Sequence, residues 1–259
     1  MKRNVERADP ERKKPKRSSS GQDGEAKPLP PLIDVRPKDG AFPIVGIGAS
    51  AGGLEAFTQL LQNLPANTGI AFVFVQHLDP THLSLLTELL ARATSMPVRQ
   101  VTHGERPLPD HVYVIPPDRV MTIDNGELRL TRRAGSQHKP IDTFLVSLAQ
   151  DRGSKAIGII LSGTANDGTK GLKAIKAEGG ITFAQSERSA KHEGMPRSAI
   201  AAGCVDFVLD PVGIAREIAR LGKHPYLARP VPERVDDESP KRTDAVHFEM
   251  FRLIRAATG

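Results

Sequence analysis

The chain alternates between short aliphatic runs and segments in which apolar residues recur every three or four positions. The run IVGIG, beginning at Ile44, predicts a strand, and GGLEAFTQLLQNL predicts a helix because its leucines and Phe57 share one face. GIAFVFVQH is apolar almost throughout, as in a strand buried on both faces of a parallel sheet. THLSLLTELLARA predicts a second helix, with Thr81 as its N-cap.

The alternation resumes after a proline-rich stretch. RVMTIDNGELRLTR predicts a β-hairpin, since Asn125-Gly126 is a preferred two-residue turn. Helices and strands then follow in turn: helix IDTFLVSLAQD, strand AIGIILSG, helix TKGLKAIKAEG, strand ITFAQS, a short helix near Ser198–Ala202, strand VDFVL and helix VGIAREIARLG. This order predicts an α/β fold: a doubly wound, mostly parallel sheet with helices on both faces, a three-layer Rossmann-like sandwich, plus a hairpin insert.

The two ends of the chain differ in composition from its centre. Residues 1–40 are rich in charge, Ser, Gly and Pro, which predicts a disordered basic leader before a folded domain at 41–222. Residues 223–244 are proline-rich and charged and are typical of a linker. Residues 245–259 form an amphipathic run, which we expect to be the first helix of a further unit.

Charge and cysteine content exclude several classes of protein. The net charge is +6, but residues 1–40 hold eleven basic and seven acidic residues, so a surplus of only two remains for the rest. No basic face interleaved with aromatics is predicted there, so we expect no nucleic-acid partner. No apolar run approaches the roughly 20 residues of a membrane span. The single cysteine, Cys204, fits a reducing cytoplasm, and we expect it to pack at the start of the last strand, which we expect to be buried.

Three predicted strands end in residues that acyl transfer requires. Ser50 follows the first strand, His77 follows the second, and Asp167 lies in a glycine-bracketed turn after AIGIILSG. In open α/β sheets, functional groups gather at the carboxyl ends of the strands. A serine hydroxyl needs an imidazole to accept its proton, and a carboxylate fixes the imidazole tautomer. The sequence therefore predicts a Ser-His-Asp triad.

The residues around Ser50 support this interpretation. Gly48 and Gly52 complete the pattern G-x-S-x-G, in which small neighbours allow a sharp turn from strand to helix. We expect the Ala51 amide and the dipole of the following helix to stabilise an oxyanion.

Other interpretations of the same residues stay open. Ser50 could simply be a helix N-cap, in a docking or regulatory module without activity. A nucleotide-binding loop is disfavoured because the glycine spacing is G-x-G-x-x-x-G and no acidic residue ends the second strand. An ordinary α/β-hydrolase has the order Ser, acid, His and would require His192 or His224 as the base.

Several motifs, in order, resemble the CheB-type protein-glutamate methylesterases of bacterial chemotaxis. They are GIGASAGGLEA, FVQHLDPTHLSLL, HVYVIPPD, PIDTFLVSLA, LSGTANDGTKGLKAIKAEGG, AQSERSAKHEGMPRSAI and AAGCVDFVL. The resemblance extends from about Phe42 to Leu221. The catalytic residues of the family match Ser50, His77 and Asp167, in agreement with the triad inferred from the strand ends.

The resemblance implies hydrolysis of glutamate methyl esters on chemoreceptor cytoplasmic domains, with release of methanol, deamidation of glutamine as a related activity, and no cofactor or metal. It places Met195 in GMPRSA near the site, and Thr164, like Ala51, near the oxyanion. Many members have Thr where this chain has Ala51, and Gly-Met-Gly is common before the aspartate where this chain has Thr164, Ala165 and Asn166.

Two features depart from the usual organisation of the family. Members of the family usually carry an amino-terminal receiver domain, but residues 1–40 cannot form its acidic phosphorylation pocket. The run HFEMFRLIRAATG resembles the first helix of a CheR-type methyltransferase domain. We therefore expect the chain to be the esterase module of a fusion between the two activities.

Overall fold

A parallel sheet of seven strands forms the centre of the protein. The computed structural model describes residues 42–76, 83–132 and 139–223. Its strands are β1 (Ile44–Ala49), β2 (Ala71–Gln76), β3 (Val98–Gln100), β4 (Val112–Val114), β5 (Arg119–Asp124), β6 (Glu127–Arg132), β7 (Ala156–Ile160), β8 (Ile181–Gln185) and β9 (Phe207–Leu209). Its helices are α1 (Gly53–Gln62), α2 (Leu83–Ala91), α3 (Pro140–Arg152), α4 (Thr169–Ala177), α5 (Gly194–Ala201) and α6 (Pro211–Gly222).

The large sheet has the order β3-β4-β2-β1-β7-β8-β9, and every neighbouring pair is parallel. Strands β5 and β6 form a separate antiparallel pair. Its turn has Asn125 at φ 52° and Gly126 at φ 76°, both left-handed, as a two-residue hairpin turn requires. The predicted doubly wound α/β fold with a hairpin insert is therefore confirmed.

Helices cover both faces of the sheet. On one face, apolar residues of α1 and α6 pack with Val45 and Ile47 of β1. On the other face, α3, α4, α5 and the hairpin pack with Ile44 of the same strand. This division follows from the strand period of two, which directs successive side chains to opposite faces.

Two glycines of β1 allow α3 to lie directly against the sheet. Gly46 and Gly48 alternate with Val45 and Ile47, so they face α3. A Cβ at Gly46 would come within 2.5 Å of the Leu145 side chain, and one at Gly48 would overlap Ile141. These glycines therefore serve helix packing.

The structure corrects the sequence-based assignment in two places. Strands β3 and β4 were not predicted, because three-residue strands in a proline-rich stretch show no periodic pattern. The last strand, β9, is an exposed edge strand and not a buried one, with Val208 45% exposed. Cys204 is buried in the segment that precedes β9. The expectation that it packs is therefore confirmed, but the expectation that it begins the strand is wrong. Burial raises the pKa of its thiol.

Several predictions concern residues outside the described ranges. These are the leader at 1–40, the N-cap Thr81, most of the linker at 223–244 and the terminal helix at 245–259. The limits of the folded domain, 41–222, also stay predictions.

Close contact between α3 and α4 generates a test of the fold. A Cβ at Gly171 of α4 would overlap the Leu145 Cβ of α3. We expect Gly171→Ala to lower the free energy of unfolding by about 1–3 kcal/mol, because overpacking outweighs the better helix propensity of alanine. Lys173→Ala, at an exposed position of the same helix, is the matched control and should change stability by less than about 0.5 kcal/mol. Urea unfolding measures both, and equal effects would contradict the packing.

Candidate active site

The candidate site lies where the order of strands changes direction. Strands β2, β4 and β3 lie on one side of β1, and strands β7, β8 and β9, which come later in the chain, lie on the other side. Ser50 directly follows β1, and Asp167 lies in the loop after β7. The two residues are thus at the same carboxyl edge, at the switch point where open α/β sheets bind their ligands.

A sharp turn carries Ser50 from β1 into α1. The Ser50 amide donates to the carbonyl of Ser162 at 3.0 Å, and the Gly53 amide donates back to the Ser50 carbonyl at 2.9 Å. Gly52, at φ 75°, is the N-cap of α1. The alternative in which Ser50 caps this helix is therefore wrong. Ser50 is half-buried and precedes the cap by two residues.

A second feature of the turn is the Ala51 amide, which sequence analysis predicts to stabilise an oxyanion. Among the described residues, no acceptor pairs with the Ala51 amide. The Ala51 carbonyl is occupied, since it accepts the hydroxyl of Ser162 at 2.8 Å. Ala51 precedes the first residue of α1 by two positions, and the dipole of that helix favours negative charge at its N-terminus.

Ser162 connects its own loop after β7 with the Ser50 turn and with the loop before α5. Besides the bond to Ala51, its buried hydroxyl accepts the amide of His192 at 2.9 Å. Its own amide donates to the side chain of Gln185, at the end of β8, at 2.8 Å. Ser162 therefore fixes the Ser50 turn to the loop before α5, and both are held to β8.

Met195 forms part of the wall beside Ser50. A Cβ at Gly163 would overlap the Met195 sulfur and would come within 3.0 Å of the Ser50 Cβ. The Met195 side chain is fully buried, and its amide donates to the Gly163 carbonyl at 2.9 Å. Thr164, the next residue, is exposed. The structure thus brings Ser50, Gly163 and Met195 together, with Thr164 at the rim.

Asp167 is anchored to the first turn of α3. Its two carboxylate oxygens accept the amides of Ile141 at 3.1 Å and Asp142 at 2.9 Å. Asp142 in turn accepts the amides of Gly168 and Gly171, both at 2.9 Å, at the start of α4. Lys139 lies 3.7 Å from the Asp142 carboxylate and donates to Asn166 at 2.9 Å.

Burial raises the pKa of Asp142, and the like charge of Asp167 adds to this effect, while the amides of Gly171 and Gly168 and the charge of Lys139 oppose it. Both carboxylates are at most 5% exposed. The site therefore contains a second buried acid beside the predicted catalytic one.

His77 lies outside the described residues, but the strand that leads to it is described. Strand β2 pairs with β1 as far as Gln76 opposite Ala49, so His77 and Ser50 each follow the end of a neighbouring strand. The Gln76 side chain donates to the Ser50 carbonyl at 3.4 Å. Two other histidines are engaged elsewhere: His103 bonds to the backbone of Leu130, and His111 to that of Pro109.

Within the described ranges, no group of three or more His, Cys, Asp or Glu side chains could hold a metal ion. No helix in the same part of the chain is long and apolar enough to cross a membrane.

Sequence analysis missed three polar residues of the site. Ser162 follows the apolar run AIGIIL that contains β7, just as Ser50 follows β1, and Gln185 is the last residue of β8. A polar residue at a strand end was therefore a signal for both. Asp142 is an acidic residue in the first turn of a predicted helix, a signal for interaction with amides. Its partners, however, come from a different helix.

By its topology and by the place of its serine turn, the chain is a doubly wound α/β protein with a candidate site at the switch point. Residues 45–218 match the family model described as CheB methylesterase. The chain belongs to the CheB methylesterase family.

Solved and curated relatives agree with this membership. The crystal structure of the Thermotoga maritima CheB methylesterase catalytic domain is 30% identical with a TM-score of 0.65, and the match covers 70% of this chain and 99% of that one. Proteins named protein-glutamate methylesterase/protein-glutamine glutaminase are 35% identical in Photorhabdus laumondii, over 72% of this chain and 55% of the relative, and 34% identical in Escherichia coli, over 74% and 57%. The chain thus spans about half the length of the curated relatives it matches.

The Ser162 bridge generates a prediction about stability. Ser162→Ala leaves the Ala51 carbonyl and the His192 amide without their partner, so we expect the free energy of unfolding to fall by about 1–3 kcal/mol. Ser95→Ala is the control, since Ser95 is exposed in the segment between α2 and β3 and its loss should have little effect. Urea unfolding of both variants is the measurement; similar losses would contradict the bridge.

The raised pKa of Asp142 predicts a pH dependence of stability. Between the ordinary pKa of aspartate, about 4, and the raised value, the folded state binds more protons than the unfolded state, so stability falls as pH rises. Asp142→Asn has no such proton to lose. The wild type should therefore lose free energy of unfolding relative to Asp142→Asn from about pH 4 upwards. Urea unfolding at a series of pH values tests this, and a constant difference would contradict it.

Proposed function

We propose that this chain hydrolyses methyl esters of glutamate side chains on chemoreceptor proteins. The observation that carries the proposal is the placement of Ser50 and Asp167 at the switch-point edge of a CheB methylesterase domain, next to the end of β2, the strand that precedes His77 in the sequence. Relatives named protein-glutamate methylesterase/protein-glutamine glutaminase support this substrate. The methylated cytoplasmic domain of a chemoreceptor would be the partner.

The reaction begins with attack of the Ser50 hydroxyl oxygen on the ester carbonyl carbon, while His77 accepts the hydroxyl proton. The carbonyl oxygen becomes an oxyanion, to which the Ala51 amide donates at the N-terminus of α1. As the bond to the methoxy group breaks, His77 returns the proton and methanol leaves. Asp167 orients His77 throughout.

Water completes the cycle. His77 takes a proton from water as the water oxygen attacks the acyl group on Ser50, and a second oxyanion forms in the same place. The bond to Ser50 then breaks, the serine recovers its proton, and the glutamate carboxylate is released. A glutamine side chain would react by the same steps with ammonia as the leaving group, so deamidation is part of the proposal.

The buried contacts of Met195 and Ser162 suit this chemistry. Met195 and Gly163 close one side of the Ser50 turn, which excludes water from the reacting carbonyl. Ser162 holds the Ala51 carbonyl, and thereby the turn that carries the Ala51 amide. Thr164, exposed at the rim, would contact the substrate.

The proposal that residues 245–259 open a CheR-type methyltransferase domain rests on sequence alone, since they lie outside the described ranges. A gene product that ends at Gly259 would contradict it.

Methanol release tests the proposed activity. We expect the wild type to release methanol from a methylated receptor cytoplasmic domain and Ser50→Ala to lose at least about 10³-fold in rate, because no nucleophile remains. Ser154→Ala is the matched control: Ser154 lies in the turn before β7, at the opposite end of that strand, and this variant should keep the wild-type rate. Circular dichroism checks the fold of each variant. Equal rates for wild type and Ser50→Ala would contradict the proposal and favour a docking module.

A further inference from the structure

Two buried aspartates each bind the start of the other's helix. Asp167, just before α4, accepts the amides of Ile141 and Asp142 in the first turn of α3. Asp142, in that turn, accepts the amides of Gly168 and Gly171 at the start of α4 through a single oxygen, Oδ1. The four hydrogen bonds form a closed reciprocal set between the two helices.

The backbone around this set has no free space. Gly168, the residue directly after Asp167, has φ 96°, and a Cβ there would overlap the Ile160 side chain. A Cβ at Gly171 would likewise overlap Leu145. The two amides that bind Asp142 therefore belong to residues pressed against α3 and β7. A change in the position of Gly168 would be passed on to Asp167 through the peptide bond that joins the two residues.

Capping the start of α4 does not by itself require a charged residue at position 142. It lies beside a second buried carboxylate, and two like charges in a buried site repel each other. The orphan amides of a helix start can be satisfied by Ser, Thr or Asn without charge. The arrangement is therefore more constrained than helix capping requires.

We propose that Asp142 is a positioning residue, which holds the Asp167 carboxylate in the orientation that His77 requires. It acts through the Gly168 amide and does not touch the substrate. This inference rests on the proposed function in one respect, the catalytic role of Asp167. The coupling between the two carboxylates is independent of that role.

Amide hydrogen exchange on the full chain tests the coupling without substrate. In Asp142→Ala, the amides of residues 141 and 142 should exchange at least about tenfold faster than in the wild type after correction for intrinsic rates, although their acceptor, Asp167, is unchanged. Asp210→Ala is the matched control, because Asp210 caps α6 through Gly213 at 2.7 Å and should leave these amides unaffected. Unchanged protection of the amides at positions 141 and 142 in Asp142→Ala would overturn the inference.

Methanol release tests the consequence. Asp142→Ala should lower kcat by at least about tenfold at a nearly unchanged KM, since a small displacement of a catalytic group has a large effect on rate. Asp142→Asn keeps an oxygen that can accept both amides, so its kcat should stay within about threefold of the wild type. Asp210→Ala should match the wild type. A kcat of Asp142→Ala equal to that of Asp210→Ala would overturn the positioning role.

A third substitution separates position from charge. Asp142→Glu keeps the charge but moves the oxygens by one methylene, and it should lower kcat by at least about tenfold even if Asp142→Ala does not fold. If Asp142→Glu matches the wild type, or if Asp142→Asn loses as much as Asp142→Glu, the inference is wrong. If the wild type releases no methanol, the proposed function fails, while hydrogen exchange still decides whether Asp142 positions Asp167.

Discussion

The hydrogen-bond ladder between β1 and β7 continues past the ends of both strands, and the candidate site depends on it. The Leu161 amide donates to Gly48 at 2.9 Å and the Ser50 amide donates to Ser162 at 3.0 Å, so the two segments remain paired where they begin to diverge. Immediately beyond this last bond, one segment turns into α1 and the other into the loop that carries Asp167. The ladder therefore fixes the serine turn to the strand whose loop supplies the acid. Both faces of this parallel sheet are covered, so the ladder is shielded from water.

Glycines and buried polar groups complete this arrangement. Gly46 and Gly48 bring α3 against β1, which places the first turn of α3 within reach of Asp167. Ser162 then satisfies a carbonyl and an amide that the turns leave unpaired. Buried polar groups without partners destabilise a fold, so these bonds must form together. The site is thus held by backbone groups as much as by the predicted catalytic side chains.

Sequence analysis predicted what local patterns determine. The alternation of strands and helices, the Asn125-Gly126 hairpin and the placement of Ser50 and Asp167 at strand ends all follow from periodicity and turn chemistry. It did not predict contacts between distant segments. Asp142 is 26 residues from Gly168, and nothing in its own helix indicates that it binds the start of α4. Gly48 was predicted to allow the sharp turn at Ser50, whereas its contact with α3 shows that it serves helix packing. Strands β3 and β4, three residues each, carry too little pattern to be recognised.

The claim that Ser50 and His77 act as one unit is tested most directly by a double-mutant comparison. Methanol release would be measured for Ser50→Ala, His77→Ala and the variant with both changes. Residues that act as a unit are not additive, so each single variant should lose about as much rate as the double variant, on the order of 10³-fold or more. Losses that multiply in the double variant, or a His77→Ala rate near that of the wild type, would contradict a triad built at the ends of β1, β2 and β7.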